Sequence, residues 1–231
     1  MNIDTGKYNK DSAEYRKLVE ELYFKYKDGV NLPPEYSYFV QEDLHRLLIR
    51  LARYKFVARI IKNTDYLLEV GCGSGLGSIF LSQHCAYVTG IDIKTTEIKE
   101  AMVLNKRENV SFKTEDFFNI SDEELYDGVV ALDVIEHLSE KQGLLFIEKA
   151  AKHIKSNGMF IIGTPSIYSH PYQSKLSKAS HVKCYDLKEL EILIENNFCR
   201  TISFSMNDEL VHTGNHKMAW YYFVLAFLPR R

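Results

Sequence analysis

The chain has little of what would make it a disulfide scaffold, a zinc module or a membrane protein. Its four cysteines, Cys72, Cys85, Cys184 and Cys199, show no Cys-x-x-Cys spacing, which argues against both a metal-binding cysteine cluster and a disulfide framework. Cys72 lies between glycines, where a disulfide would restrict the turn, so the four are read as reduced thiols of a cytoplasmic protein. Proline occurs five times and tryptophan once, and no repeat or low-complexity tract is visible. The longest apolar run, Met218 to Leu228, is too short to span a bilayer and rich in strand-forming aromatics, so it reads as a buried strand with no membrane span. The first residues, MNIDTGKYNKDSAEYRKL, lack the apolar core of a signal peptide. Basic excess is also missing: 29 Lys and Arg stand against 31 Asp and Glu, a formal charge of −2. That balance argues against nucleic acid as the main partner and favours a small-molecule substrate.

What the chain does have is an α/β rhythm. Its 231 residues suffice for one α/β domain with an elaboration. From Asp65 onward, β-rich apolar runs alternate with amphipathic segments, the pattern of a parallel sheet with helices on both faces. The runs predict seven strands at Tyr66–Val70, Tyr87–Ile91, Val110–Lys113, Asp127–Leu132, Met159–Gly163, Thr201–Ser205 and Trp220–Phe227. Helices are expected over Leu76–His84, Thr95–Lys106, Glu140–Lys155 and Leu187–Asn196, with Ser139 or Ser121 as a cap and Asn157-Gly158 as a stop before the fifth strand. Ahead of the sheet, residues 1–62 read as a helical extension or lid, with helices over Ser12–Lys27 and Phe39–Lys62. Residues 63–231 read as the main domain. Tyr23, Tyr26, Tyr36 and Tyr38 are candidates for a substrate lid or for ordinary packing. The Gly163–Tyr185 stretch breaks the rhythm and reads as a long substrate loop.

The most informative stretch is LLEVGCGSGLG, Leu67 to Gly77. A buried strand ends in an acid, Glu69, and runs into Gly71, Gly73 and Gly75, which tolerate positive φ and let a ligand approach the backbone. Asp92 ends the next strand at the spacing of an acid for ribose hydroxyls. A dinucleotide fingerprint starting at Gly71 would need a small residue at position 76, where this chain has Leu76. The pattern is GxGxG.

These residues resemble the class I S-adenosylmethionine-dependent methyltransferases, over roughly Asp65 to the C-terminus. The resemblance implies a Rossmann-like, mostly parallel seven-stranded sheet with an antiparallel last strand. It implies that Glu69, Gly71, Cys72, Gly73 and Gly75 cradle the methionine part of S-adenosyl-L-methionine, that Asp92 and Ile93 serve the ribose, and that Asp116 and Phe117 of TEDFF hold the adenine. Asp133 follows at the end of the fourth strand, also on the cofactor's edge.

In DVIEHL, side chains three and four apart share a helical face, so Asp133, Glu136 and His137 can converge. Two carboxylates and an imidazole suit either proton transfer or metal binding. The stretch is similar to that of ubiquinone-biosynthesis O-methyltransferases and small-RNA terminal 2′-O-methyltransferases, in which a later His joins the cluster. Here that His is His181. The resemblance implies either a metal-free site with His137 or His181 as catalytic base, or Mg²⁺ or Mn²⁺ held by Asp133, Glu136, His137 and His181; Asp133 is shorter than the usual Glu. No NPPY-like amide-recognition tetrapeptide follows the fourth strand, so oxygen is the expected acceptor atom. The polar loop residues Ser166, Tyr168, Ser169, His170, Tyr172 and Gln173 suit a hydroxyl-rich sugar or glycan precursor, as in polysaccharide biosynthesis. His212 and His216 are expected in the turn between the last two strands. The alternatives are an RNA-end 2′-O-methyltransferase, an N-methyltransferase, a non-catalytic cofactor-binding subunit, or a nucleotide-dependent oxidoreductase on the same sheet. A monomer and a homodimer fit the sequence equally.

Overall fold

The computed structural model describes residues 13–121 and 123–230. The chain divides into two compact units, Met1–Leu32 and Pro33–Arg231. The first contains α1 (Ala13–Tyr26), with Glu14 in its first turn and Lys25 in its last, the charge order a helix dipole favours.

In the second unit, α2 (Pro34–Glu42) and α3 (Leu44–Ala58) precede β1 (Tyr66–Val70), α4 (Leu76–Leu81), β2 (Tyr87–Asp92), α5 (Thr95–Leu104), β3 (Val110–Thr114) and β4 (Tyr126–Leu132). Then come α6 (Glu140–Lys152), β5 (Ile154–Pro165), α7 (Lys175–Ser180), α8 (Leu187–Glu195), β6 (Phe198–Asn207), β7 (Leu210–His212) and β8 (Tyr221–Pro229). The strands form one sheet in the order β3-β2-β1-β4-β5-β8-β6-β7. Pairs from β3 through β5 are parallel, and β8 runs antiparallel to both β5 and β6. Successive residues of a strand point to opposite faces, and both faces are covered. Leu68, Val129 and Phe160 pack with Phe146 and Ile147 of α6 and Leu190 and Ile194 of α8. Leu67, Val130 and Ile161 pack with Ala52 and Val57 of α3, Leu81 of α4 and Ile98 of α5. The strand order reverses between β1 and β4, so the crevice at their carboxyl ends is the natural ligand site.

Several expectations need correction. The sheet has eight strands, because Leu210–His212 pairs with Ser205–Asn207 in a hairpin whose turn holds Asp208 at φ 49°. The expected helix over Phe39–Lys62 is two helices: Asp43 leaves helical conformation at φ −148°, and its side chain accepts from Arg46 N at 3.2 Å to start α3. Asn157-Gly158 does not precede the fifth strand but lies inside it. Ile154 pairs with Tyr126 and Met159 with Gly128, so the residues between them form an irregular excursion. The helix before it ends at Lys152, with His153 at its C-cap. At the other end of that helix Ser139 makes the capping box with Gln142. The Gly163–Tyr185 segment is more ordered than a loop. Ser166 caps a 3-10 turn over Ile167–Tyr172, and Ser174 caps α7. All four cysteines are free, and no helix among the described residues is long and apolar enough to cross a membrane.

Candidate functional site

At the end of β1, Gly71, Gly73 and Gly75 take φ of 73°, 53° and 84°, the left-handed region that glycine enters without cost. The turn is tied to β2: Gly71 N and Cys72 N donate to Ile91 O at 2.9 and 3.1 Å. Asp92 then accepts from Gly73 N at 3.0 Å and from Lys94 N at 2.8 Å, so its carboxylate is held at the rim of the turn. Glu69 lies beneath it, buried. Tyr54 of α3 donates to its Oε1 at 2.8 Å, and Ser78 of α4 makes a short hydrogen bond to Oε2. Burial outweighs those two donors and pushes Glu69 up to about 7. The Cys72 thiol is buried and pushed up as well, which makes it a poor nucleophile.

A cavity of about 640 Å³ opens over this turn. Gly71, Cys72, Gly73, Asp92, Ile93, Asp116, Phe117, Asp133 and His137 line it, whereas Glu69 and Gly75 do not. Asp116 ends one side, where its carboxylate accepts from Phe118 N at 3.0 Å and from Asn119 Nδ2 at 3.1 Å. Six carboxylates face the cavity, those of Glu35, Asp92, Glu97, Glu115, Asp116 and Asp133, against the cations Arg50 and Lys94.

A second cavity of about 560 Å³ adjoins it. The structure brings Glu136, His137 and His181 to this junction, with potential ligand atoms within 4.8 Å of one another. They meet because Val182 N and Lys183 N, just after α7, donate to the Glu136 carbonyl at 2.7 and 3.1 Å. Glu136 Oε2 accepts from Thr164 Oγ1 at 2.9 Å, while Oε1 is buried with no hydrogen-bond partner. Burial, and then the Asp133 charge, hold Glu136 well above the usual carboxylate range. His137 Nδ1 lies 2.9 Å from Ser180 O, a carbonyl that can only accept, so Nδ1 carries a proton. His181 Nδ1 faces Gln173 Oε1 at 2.9 Å, an amide oxygen that only accepts, so here too Nδ1 carries the proton. Burial and the neighbouring His137 push His181 below its ordinary value, which keeps it neutral.

Asp133 differs from the four-ligand expectation. It stands at the strained φ of 58°, and its carboxylate pairs with Arg53 Nη1 at 2.5 Å. Among the described residues, the cluster whose ligand atoms come together has three members, Glu136, His137 and His181, and Asp133 is not one of them. Arg50, Arg53 and Tyr54 were not singled out in the sequence; their common signal is an amphipathic helix, which does not distinguish a functional face from packing. In the substrate segment, Ser169, Tyr172 and Gln173 line the second cavity, and Ser166, Tyr168 and His170 do not. His212 closes β7 against Asn207 and His216 sits in a 3-10 turn; neither lines a cavity described above. Tyr36 is buried on the wall of the first cavity, and Tyr38 is exposed.

The family model described as "Methyltransferase domain" matches residues 67–158. Among curated proteins, the chain is similar to the ubiquinone biosynthesis O-methyltransferase of Rickettsia akari, 38% identical over 100 residues that cover 42% of this chain and 39% of that protein. The protein of the same name from Pelagibacter ubique is 26% identical over 160 residues, covering 67% of this chain and 64% of that protein. The match to the Rickettsia relative thus spans about two fifths of its length. Among solved structures, N-methyltransferase NodS from Bradyrhizobium japonicum, in complex with S-adenosylhomocysteine, superposes with a TM-score of 0.56 at 18% identity, over 82% of this chain and 87% of that one. A TehB-like S-adenosylmethionine-dependent methyltransferase from Corynebacterium glutamicum gives 0.61 at 14%, over 85% and 100%; both show the shared fold. Residues 67–158 thus match a methyltransferase domain, and the GxGxG turn, the acid at Asp92 and the strand order agree with the fold of class I S-adenosylmethionine-dependent methyltransferases.

Proposed function

We propose that the protein transfers a methyl group from S-adenosyl-L-methionine to a hydroxyl of a small metabolite. The observation that carries this reading is the meeting of two cavities at the His137–His181 imidazole pair, one cavity over the glycine turn and the other walled by α7 and β8. The first cavity fits the cofactor. Its acidic lining suits a sulfonium cation and opposes a pyrophosphate, and the glycines leave the approach to the turn clear. Asp92 would take the ribose hydroxyls, and Asp116 with Phe117 the adenine.

The sulfonium supplies an activated methyl group. The protein's part is to align the acceptor oxygen with it and to remove the hydroxyl proton, and alignment alone can lower the barrier by about 7–11 kcal/mol. His181, neutral with its Nε2 lone pair free of the Gln173 contact, is suited to accept the proton, and His137 sits beside it with ring centroids 5.2 Å apart. The orphaned Glu136 Oε1 and the two imidazoles also fit a divalent cation such as Mg²⁺ or Mn²⁺. When bound, such an ion would lower the pKa of an acceptor hydroxyl. Asp133 is not assigned to it, because Arg53 already holds that carboxylate. The role of the named relatives in ubiquinone biosynthesis supports oxygen as the acceptor atom. A sugar or glycan precursor remains the proposed acceptor class, with Tyr172 and Trp220, 5.3 Å apart, as an aromatic wall and Ser169 and Gln173 as polar contacts.

The test is calorimetric titration with S-adenosylhomocysteine and NAD, then methyl transfer to a panel of hydroxylated acceptors before and after chelation. Binding of the homocysteine product without NAD, and product methylated on oxygen, is expected. Binding of NAD alone would overturn the reading, and full activity in a chelated, metal-free protein would remove the cation.

A further inference from the structure

In the segment between β5 and α8, a one-way chain of hydrogen bonds joins Ser166 to His181. Ser169 Oγ donates to Ser166 O at 2.7 Å, Gln173 Nε2 donates to Ser169 Oγ at 3.1 Å, and Gln173 Oε1 faces His181 Nδ1 at 2.9 Å. Its far end is tied to the sheet. Ser166 and Ser169 are buried, and Ser166 N donates to Trp220 O at 3.0 Å, just ahead of β8. Gln173 caps the end of the 3-10 turn and His181 the end of α7, so the short helix folds the chain back and brings these two side chains together across eight residues.

The direction of the chain follows from what each atom can do. The Ser166 carbonyl only accepts, so the Ser169 hydroxyl proton is committed to it and the side of Ser169 Oγ that faces Gln173 offers a lone pair. Gln173 must therefore turn its NH2 to Ser169 and its carbonyl oxygen to His181, and a ring nitrogen facing that oxygen must carry the proton. We propose that Gln173 and Ser169 are positioning residues, which through this chain fix His181 as the Nδ1–H tautomer and leave Nε2 bare to take the proton of the acceptor hydroxyl. This rests on the reading of His181 as the base. The reversed amide would put NH2 against Nδ1, place the ring proton on Nε2 and leave nothing there to accept. A carboxylate in the position of Gln173 would orient the imidazole unaided, because both of its oxygens accept. An amide has one accepting end, so its own orientation has to be set, and Ser169 is the group that sets it. Gln173 keeps its second amide proton for the acceptor.

Long-range ¹H–¹⁵N spectra of the chelated protein, labelled with ¹⁵N in its histidines, read the tautomer directly, the His181 ring pattern being identified by its absence in His181→Asn. Wild type is expected to show His181 protonated at Nδ1 alone. Gln173→Met offers that proton no acceptor, and Ser169→Ala frees the amide to turn. Both should move His181 toward a mixture of the two tautomers, with kcat for methyl transfer falling about tenfold or more in the first and several-fold in the second. Gln173→Glu, which keeps an acceptor opposite Nδ1, should keep Nδ1 protonated. S-adenosylhomocysteine affinity within about twofold of wild type is expected throughout and shows that the variants are folded. A tautomer unchanged in both Gln173→Met and Ser169→Ala would overturn the proposal while leaving His181 as the base. A tautomer that moves while methyl transfer does not, or a wild type protonated at Nε2, would overturn His181 as the base and this proposal together.

Discussion

Gly75 carries two constraints that one methyl group would violate. Its φ is 84°, and a Cβ there would stand 2.7 Å from both Ala101 Cβ and Phe112 Cζ, neither at the end of a flexible chain. Gly73 has the backbone constraint at φ 53° but space around it, the nearest atom being Glu97 Oε2 at 3.9 Å. Gly75→Ala is therefore expected to cost roughly 3 kcal/mol or more and Gly73→Ala about 1 kcal/mol in urea unfolding. Equal costs would mean that close packing at Gly75 is relieved by movement. Glu69 sets a pH dependence. Its carboxyl rises from 4.5 to about 7 through burial, so between those values the folded chain keeps a proton that the unfolded chain has released. Its contribution is complete below about pH 4.5 and is lost as the pH rises through 7. Between pH 5 and 8, Glu69→Gln should gain on wild type by about 2 kcal/mol in unfolding free energy; a gap that does not move with pH would show that Glu69 stays ionised. The glycines and the acids of this site were legible in the sequence because a turn and a strand end demand those types at short spacing. The Arg53–Asp133 and Tyr54–Glu69 contacts were not, since their partners are 80 and 15 residues apart and only the tertiary fold joins them.

Among the elements, α3 joins several parts of the site. It presents Arg50 and Arg53 to the junction and Tyr54 to Glu69, and Tyr54 lies so close over Gly77 that any side chain there would strike its ring. The start of α3 depends on Asp43, whose loss should cost about 1 kcal/mol. Asp43→Ala is thus expected to lower the thermal midpoint by a few degrees while moving S-adenosylhomocysteine affinity less than about twofold; a larger effect on affinity than on the midpoint would mean that the α2–α3 break itself shapes the cavity. The break was hidden because Val40, Leu44, Leu47 and Leu48 continue a helical spacing across it, and a side-chain cap overrides that spacing. β7 was hidden for another reason: three residues are too few to show alternation. In the segment after β5, serines that read as loop composition are the caps of a 3-10 turn and of α7. The long runs of β1, β2, β4 and β5 were legible because burial on both faces requires continuous apolar residues.

At the scale of the whole molecule, the sheet separates two tasks that share one wall. Asp92 at the end of β2 lines only the first cavity, and His181 after α7 lines only the second. If one cavity holds the cofactor and the other the acceptor, substitutions at these residues should fail in different ways. Asp92→Ala removes the acceptor for two backbone N–H groups at the rim along with the proposed ribose contact, and should weaken S-adenosylhomocysteine about tenfold or more. His181→Ala removes a side chain that touches Gln173 and the second cavity, and should leave S-adenosylhomocysteine affinity within about twofold while methyl transfer falls by about 10²-fold or more, as loss of a general base requires. Asp133 and His137 line both cavities, so Asp133→Asn and His137→Ala should disturb both measurements. Affinity and turnover falling together for Asp92 and His181 alike would mean that the cavities work as one, with α7 closing over the cofactor itself.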